Sequence, residues 1–227
     1  MKHYNTYGLS ITIHDHKLLG INRDLMGRLE KSKWEPREAA ALKILSPHAT
    51  VIELGACIGI ISCLINKKLL DGTRHVAVEA NPLLIDQLAS IRDENDCNFH
   101  IENCMVGEKS DERTFYINPS HAMDGSAQLK KNKKACTIKQ KTLQELEKKY
   151  SMPFDTLIMD IEHGEYDLFR ECLLPDKRFL KFDTIICEFH DARRHPVHMK
   201  RILSELRKYY NVTAVGKANL LVTASRL

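Results

Sequence analysis

Two short stretches concentrate the side chains that could do chemistry, Asp160-Ile161-Glu162-His163 and Glu188-Phe189-His190-Asp191. Each closes an apolar run, Phe154 to Asp160 and Phe182 to Glu188, that reads as a buried strand. Alternation along an extended chain puts Asp160 and Glu162 on one side of the first, and Glu188 and His190 on one side of the second. Burying such groups unpaired is costly, so their concentration points to chemistry rather than packing. Two kinds of chemistry fit. His190 or His163, oriented by a carboxylate, could take a proton near neutral pH. Alternatively Asp160, Glu162 and Glu188 could hold magnesium, manganese or calcium, hard cations that prefer oxygen and would acidify a bound hydroxyl. We favour a base without an obligatory metal and read Asp160, His163, Glu188 and His190 as the catalytic set.

A second constellation precedes the first. In Val51-Ile52-Glu53-Leu54-Gly55-Ala56-Cys57-Ile58-Gly59 an apolar run ends in two glycines, which permit a tight turn and close approach of a ligand to the backbone. Glu79 closes the next apolar run, 24 positions after Gly55, where a carboxylate can accept hydrogen bonds from ribose hydroxyls. A dinucleotide would want G-x-G-x-x-G, but Cys57 and Ile60 occupy the second and third glycine positions. Glu53 would repel a pyrophosphate and attract the ammonium of a methionine moiety. The pattern therefore favours S-adenosylmethionine, which carries a sulfonium, an ammonium and a ribose. A nicotinamide-dependent oxidoreductase is the alternative. The broken glycine pattern and the closing antiparallel hairpin count against it.

The elements that must position these residues alternate regularly. Strands are predicted at Val51 to Gly55, His75 to Glu79, Phe99 to Val106, Phe154 to Asp160 and Phe182 to Glu188. Helices are predicted at Ile58 to Leu70, Pro82 to Glu94 with Asn81 as N-cap, Thr142 to Tyr150, Glu165 to Leu174 and Pro196 to Tyr209. Val212 to Val215 and Leu220 to Thr223 make a closing hairpin. This implies an α/β fold: a Rossmann-like, doubly wound, mostly parallel seven-stranded sheet with a C-terminal antiparallel hairpin. Residues 1–46 read as an N-terminal β-arm (Tyr7 to Ile21) and two helices broken at Trp34 and Pro36, a lid within the same domain. Residues 47–227 form the core, with a polar excursion at 107–141 holding a strand and a loop. Lys130-Lys131-Asn132-Lys133-Lys134 in it reads as a solvated face; with no aromatic residue among them it does not suggest nucleic acid.

These segments together resemble a known family. Val51 to Gly59 is similar to motif I of class I S-adenosylmethionine-dependent methyltransferases, and more narrowly to FkbM-type methyltransferases, with their acidic-x-Gly-Ala-x-x-Gly pattern. Val78-Glu79-Ala80-Asn81-Pro82, Asn103-Cys104-Met105-Val106-Gly107 and Asp160-Ile161-Glu162-His163-Gly164-Glu165-Tyr166 resemble three further segments of that family, in order. The likeness runs from about residue 34 to 224, with departures at Cys57, Cys104 and His163. It implies that Glu53, Gly55, Ala56 and Gly59 hold the methionine end and that Glu79, with Ala80 and Asn81, meets the ribose. Asn103 or the Cys104 backbone would border the adenine, Asp160 would face the methyl group, and Glu35, beside Trp34, would reach the ammonium. The family implies hydroxyl acceptors in sugars or other natural products. A polar, carboxylate-rich acceptor site suits a sugar of a glycan or glycoconjugate.

Composition sets the outer bounds. The 227 residues suffice for one well-cored α/β domain, and 43% hydrophobic with 28% charged residues excludes a disordered or low-complexity chain. A net charge of +4 is too small to argue for nucleic acid. Seven cysteines, mostly in apolar runs and without a CxxC pair, read as reduced thiols in a cytoplasmic setting. No segment reads as a signal peptide or membrane span, and a homodimer is compatible with this reading.

Overall fold

The computed structural model describes residues 1–15, 19–20, 23–118, 122–123, 125 and 134–227. The chain opens with a hairpin, β1 (Lys2–Thr6) and β2 (Leu9–Ile13), turned at Tyr7 and Gly8 with φ of 52° and 77°. The sequence placed this arm from Tyr7 onward, too late by one strand. The polar residues Lys2, His3 and Asn5 hide the pattern, since only Tyr4 and Thr6 of β1 are buried. Leu18 and Ile21, also expected in the arm, lie outside the described residues. Helices α1 (Arg23–Glu30) and α2 (Pro36–Ala41) follow, separated at Trp34 as expected.

The alternating core then runs β3 (Val51–Leu54), α3 (Ile60–Asn66), β4 (His75–Val78), α4 (Ile85–Glu94) and β5 (His100–Glu102). Next come β6 (Met105–Val106), β7 (Asp111–Ile117), β8 (Lys134–Lys141) and α5 (Leu143–Tyr150). The chain closes with β9 (Thr156–Met159), α6 (Glu165–Leu168), β10 (Thr184–Phe189), α7 (Pro196–Leu206), β11 (Tyr210–Gly216) and β12 (Leu220–Arg226). The central sheet has seven strands in the order β11-β12-β10-β9-β3-β4-β5. Its five middle and far strands are parallel, and β12 runs antiparallel to both β10 and β11. This is the doubly wound sheet with a terminal antiparallel pair that the sequence implied.

Strands buried on both faces need apolar residues throughout, and β3, β4, β9 and β10 are buried at every position. One face packs Ile52, Leu54, Val76 and Leu157 against Leu146, Phe169 and Leu206. The other packs Val51, Ile158 and Ile186 against Ile61 and Ile65 of α3. The N-terminal hairpin joins this core: Ile11 and Ile13 pack with Leu88 and Ile91 of α4. Its edge is tied by Glu94, whose Oε2 accepts from Thr12 N–H at 2.8 Å and whose Oε1 accepts from the Ser10 and Thr12 hydroxyls.

Two expectations need correction. The third strand does not run unbroken to Val106: β5 ends at Glu102, and Met105–Val106 leaves for a second sheet, order β6-β8-β7. The excursion therefore holds two strands, paired from Asp111↔Gln140 to Ile117↔Lys134. Its sequence hid the second because Lys134–Lys141 is mostly polar and buries only Ile138 and Gln140. Lys130 to Lys133 of the basic run lie outside the described residues. Also, α4 begins at Ile85 rather than Pro82, although the Asn81 side chain still accepts from Leu83 N–H at 3.0 Å. No helix among the described residues is long and apolar enough to cross a membrane.

Candidate active site

A cavity of about 780 Å³ opens at the carboxyl ends of the parallel strands. It runs from Trp34 and Glu35 past Gly55, Glu79 and Cys104 to Phe115 of the second sheet. A small recess continues from it beneath the loop after β3, lined by Glu35, Glu38, Glu53, Asp160 and Glu188.

The glycine loop forms one end. Gly55 has φ 89°, and a Cβ there would fall 1.8 Å from the Asp160 carbonyl oxygen, so the approach of β9 demands glycine. The N–H groups of Gly55 and Ala56 both donate to Val78 O, and Gly59 precedes α3 with φ 92°. Cys57 sits at φ 52°, which aims its N–H at Glu79 Oε2, 2.8 Å away. Glu79 Oε1 accepts from Asn81 N–H at 2.7 Å. Burial pushes the Glu79 carboxyl up to about 7 even against these bonds. Asn103, expected beside the adenine, braces the Glu79 loop: its Nδ2 donates to the Glu79 and Ala80 carbonyls. Cys104 lines the cavity, and burial raises its thiol to about 12. Asn81 donates to Ala122 O at 2.6 Å, tying the loop to the segment opposite.

The other end is built around His190, just past β10. Its Nδ1 bonds Glu165 Oε1 at 2.9 Å, and Glu165 is fully buried. Its Nε2 faces Asp160 Oδ1 at 3.6 Å, Glu162 Oε2 at 3.9 Å and Glu188 Oε2 at 4.0 Å. Tyr166 OH donates to His190 O at 2.8 Å and fixes the backbone. Burial works against the imidazolium, but the Glu165 bond and the charges of Glu165, Asp160 and Glu162 raise His190 to about 9. Asp160 is pushed well up by burial, then by Glu35, Glu188 and Glu162, against the pull of His190. Its Oδ1 is buried and accepts no hydrogen bond. Glu35, at φ 40° before α2, is raised to about 8 by burial and by Glu38, Glu188 and Glu53. The His163 ring lies 5.3 Å from that of His190, centroid to centroid.

Asp160, Glu162, His163, Glu188 and His190 thus come together, and Glu35, Glu53, Gly55 and Glu79, the residues expected to meet the cofactor, line the cavity and its recess. The metal set differs from the expected one. Asp160, Glu165 and His190 each offer a ligand atom within 4.8 Å of the others, without Glu162 or Glu188. Glu188 is instead drawn to Arg37 of α2. The Glu165–His190 bond occupies two of the three candidate ligands, so an ion would have to displace it. Glu165, which bonds His190, was not among the expected residues, although it lay within the segment Asp160 to Tyr166. Arg37 and Glu38 carry no local signal, since only the fold brings α2 to β10. A cationic adenosyl donor fits what is present: a glycine loop closed by backbone contacts, the bound Glu79 carboxylate, and a recess of five carboxylates in which Glu38 Oε1 is buried without a partner.

Comparison with known proteins agrees. The family model described as "Methyltransferase FkbM domain" matches residues 53–211. Among solved structures, the chain is similar to an O-methyltransferase from Bacillus cereus in complex with S-adenosylhomocysteine (TM-score 0.50, 13% identity, 85% of this chain and 82% of that one). It is also similar to M. jannaschii TYW2 in complex with AdoMet (0.52, 15%, 99% and 86%) and to an rRNA methylase from Streptococcus thermophilus (0.53, 8%, 85% and 95%). These likenesses show the fold. No curated protein sequence matches the chain.

Proposed function

From the premise that this chain belongs to the FkbM methyltransferase family and uses S-adenosylmethionine, we propose that it methylates a hydroxyl oxygen, with a sugar of a glycan or glycoconjugate as acceptor. The donor supplies an electrophilic methyl group on a sulfonium and leaves as a neutral thioether. The chain must then bind a cation, place an oxygen in line with the methyl, and take a proton from that oxygen.

One observation carries the reading. The His190 ring is fixed by Glu165, and its free Nε2 faces Asp160 across 3.6 Å, too far for a direct hydrogen bond. A hydroxyl oxygen seated beside this pair can reach both, donating to one partner and accepting from the other. With a value of about 9, His190 is protonated at neutral pH in the free protein. A cation alongside lowers that value, so occupancy of the cofactor end readies His190 to accept the hydroxyl proton. Asp160 is the second acceptor for that proton. Glu162, Glu108, Glu112 and Asp167 along the cavity offer acceptors for further hydroxyls, which supports a polyol over an aromatic substrate.

The test is a screen of defined saccharides with a radiolabelled methyl donor, with and without excess chelator. Label is expected as a methyl ether on a saccharide, at full yield in chelator. Label found solely on amines or carbon would overturn the hydroxyl reading.

A further inference from the structure

A buried histidine on the covered side of the sheet has no part in this chemistry. His75, the first residue of β4, has no solvent exposure, and its Nε2 lies 3.1 Å from Glu53 Oε2. Glu53 is itself only 3% exposed. Alternation explains the meeting: Ile52, Leu54, Val76 and Val78 point into one core, so Glu53 and His75 share the opposite face of the sheet. There His75 packs against Phe99, ring centroids 5.1 Å apart, and its Nδ1 has no hydrogen-bond partner.

That orphan nitrogen fixes the pair's chemistry. An N–H at Nδ1 would be a buried donor without an acceptor, whereas a lone pair there is tolerated more cheaply. The proton therefore sits on Nε2, which donates to Glu53. His75 cannot touch a ligand, because it lies at the opposite end of its strand from the cavity. Glu53 can, since it lines the recess below Gly55.

We propose that His75 is a positioning residue for the cofactor: from beneath the sheet it locks the Glu53 carboxylate in the orientation that receives the methionine ammonium. This rests on the cofactor reading above. Without the bond, Glu53 can rotate between the recess and the space vacated by the donor, and part of its attraction for the ammonium is lost.

Calorimetric titration of the full chain with S-adenosylhomocysteine, which keeps the ammonium, tests this without needing an acceptor. His75→Phe and Glu53→Gln are each expected to weaken binding about tenfold, the worth of one charge-assisted hydrogen bond. The double variant should be no weaker than Glu53→Gln alone, and His75→Gln, whose amide can reach Glu53, should restore affinity to within about twofold. A merely structural histidine would lower the melting temperature without this non-additivity or rescue. If His75→Phe does not fold, His75→Asn, too short to reach Glu53, takes its place. Wild-type affinity in the non-donating variant, or losses that multiply in the double variant, would overturn the proposal. Wild-type affinity in Glu53→Gln would overturn it too, by removing Glu53 from the site. Failure of the wild-type protein to bind would instead refute the cofactor reading.

Discussion

The two ends of the cavity are built by different means. At the glycine loop, hydrogen bonds run through the backbone: Gly55, Ala56, Cys57 and Asn81 all donate main-chain N–H groups, and both Glu79 oxygens are engaged. At the His190 end, side chains from β9, α6 and β10 crowd together, and oxygens of Asp160 and Glu165 are buried without a partner. The groups of the glycine loop itself are paired as they stand. The second leaves polar groups that only a substrate, or a proton, can satisfy. Binding at the backbone-built loop should tolerate changes to the loop's own side chains, with the carboxylates of Glu53 and Glu79 outside that tolerance, whereas turnover at a side-chain-built site should not tolerate them.

The widest separation is expected from His190→Ala. Methyl transfer should fall about 10³-fold, within the range of general-base catalysis, while S-adenosylhomocysteine affinity stays within about threefold. Equal losses in both would erase the distinction between the ends. Glu165→Gln sharpens it. Removing that charge lowers the His190 value, so the alkaline rise of kcat/KM, which climbs toward about 9 in the wild type, should move to lower pH.

Gly55→Ala strikes at the backbone-built end. The added methyl group would meet the Asp160 carbonyl, and both the φ of 89° and the parallel pairing of β3 with β9 resist relaxation. A loss of about 3 kcal/mol in unfolding free energy is expected by denaturant titration, with cofactor binding falling alongside. A variant of unchanged stability would show that the loop is pliable.

How legible each end was in the sequence follows from the same difference. Glu53, Gly55 and Glu79 stand at strand ends, and a backbone-built loop must be contiguous, so its residues appear as a motif. His190 and Asp160 were visible as strand-end residues. Their partners were harder. Glu165 looks like an ordinary first-turn helix acid, and nothing near Arg37 announces that it spans to Glu188 across 151 positions. The second sheet was only half legible because β8 buries few of its side chains, leaving little apolar rhythm to read.

The ends also differ from the periphery in the sign of their pH dependence. Glu35 and Glu79 rise from near 4.5 to about 8 and about 7, and His190 from 6.5 to about 9. Each raised group contributes stability that is fully present below its ordinary value and lost as pH climbs through the raised one. The cavity should therefore lose stability progressively from about pH 4.5 to 9. Glu94 and Glu102, outside the cavity, shift the other way. Burial opposes it, but Ser10 and Thr12 hold Glu94 down, as Lys141, Lys149 and Tyr150 do Glu102. Their contribution is lost in acid. Melting temperatures across pH should fall toward alkali in the wild type and flatten in Glu35→Gln. An unchanged alkaline slope would show that Glu35 is not part of the crowding. Arg37→Ala is expected to cost about 1 kcal/mol, because the half-exposed guanidinium is screened while its partner Glu188 stays buried.

The smallest effect is expected where the backbone does the work behind an unusual side chain. Cys57 occupies a left-handed position, φ 52°, yet its contact with Glu79 is made by N–H. Burial, then Glu35 and Glu79, push its thiol well up, so at neutral pH it is not a thiolate and contributes no charge. Cys57→Gly relieves the left-handed strain by about 1 kcal/mol but loosens the unfolded chain by a similar amount, so the two nearly cancel. The N–H and its carboxylate partner remain. Affinity for S-adenosylhomocysteine should stay within about twofold and stability within about 0.5 kcal/mol. A tenfold loss of affinity would mean that the sulfur itself contacts the ligand, and that the loop holds it by a side chain as well as by its N–H groups.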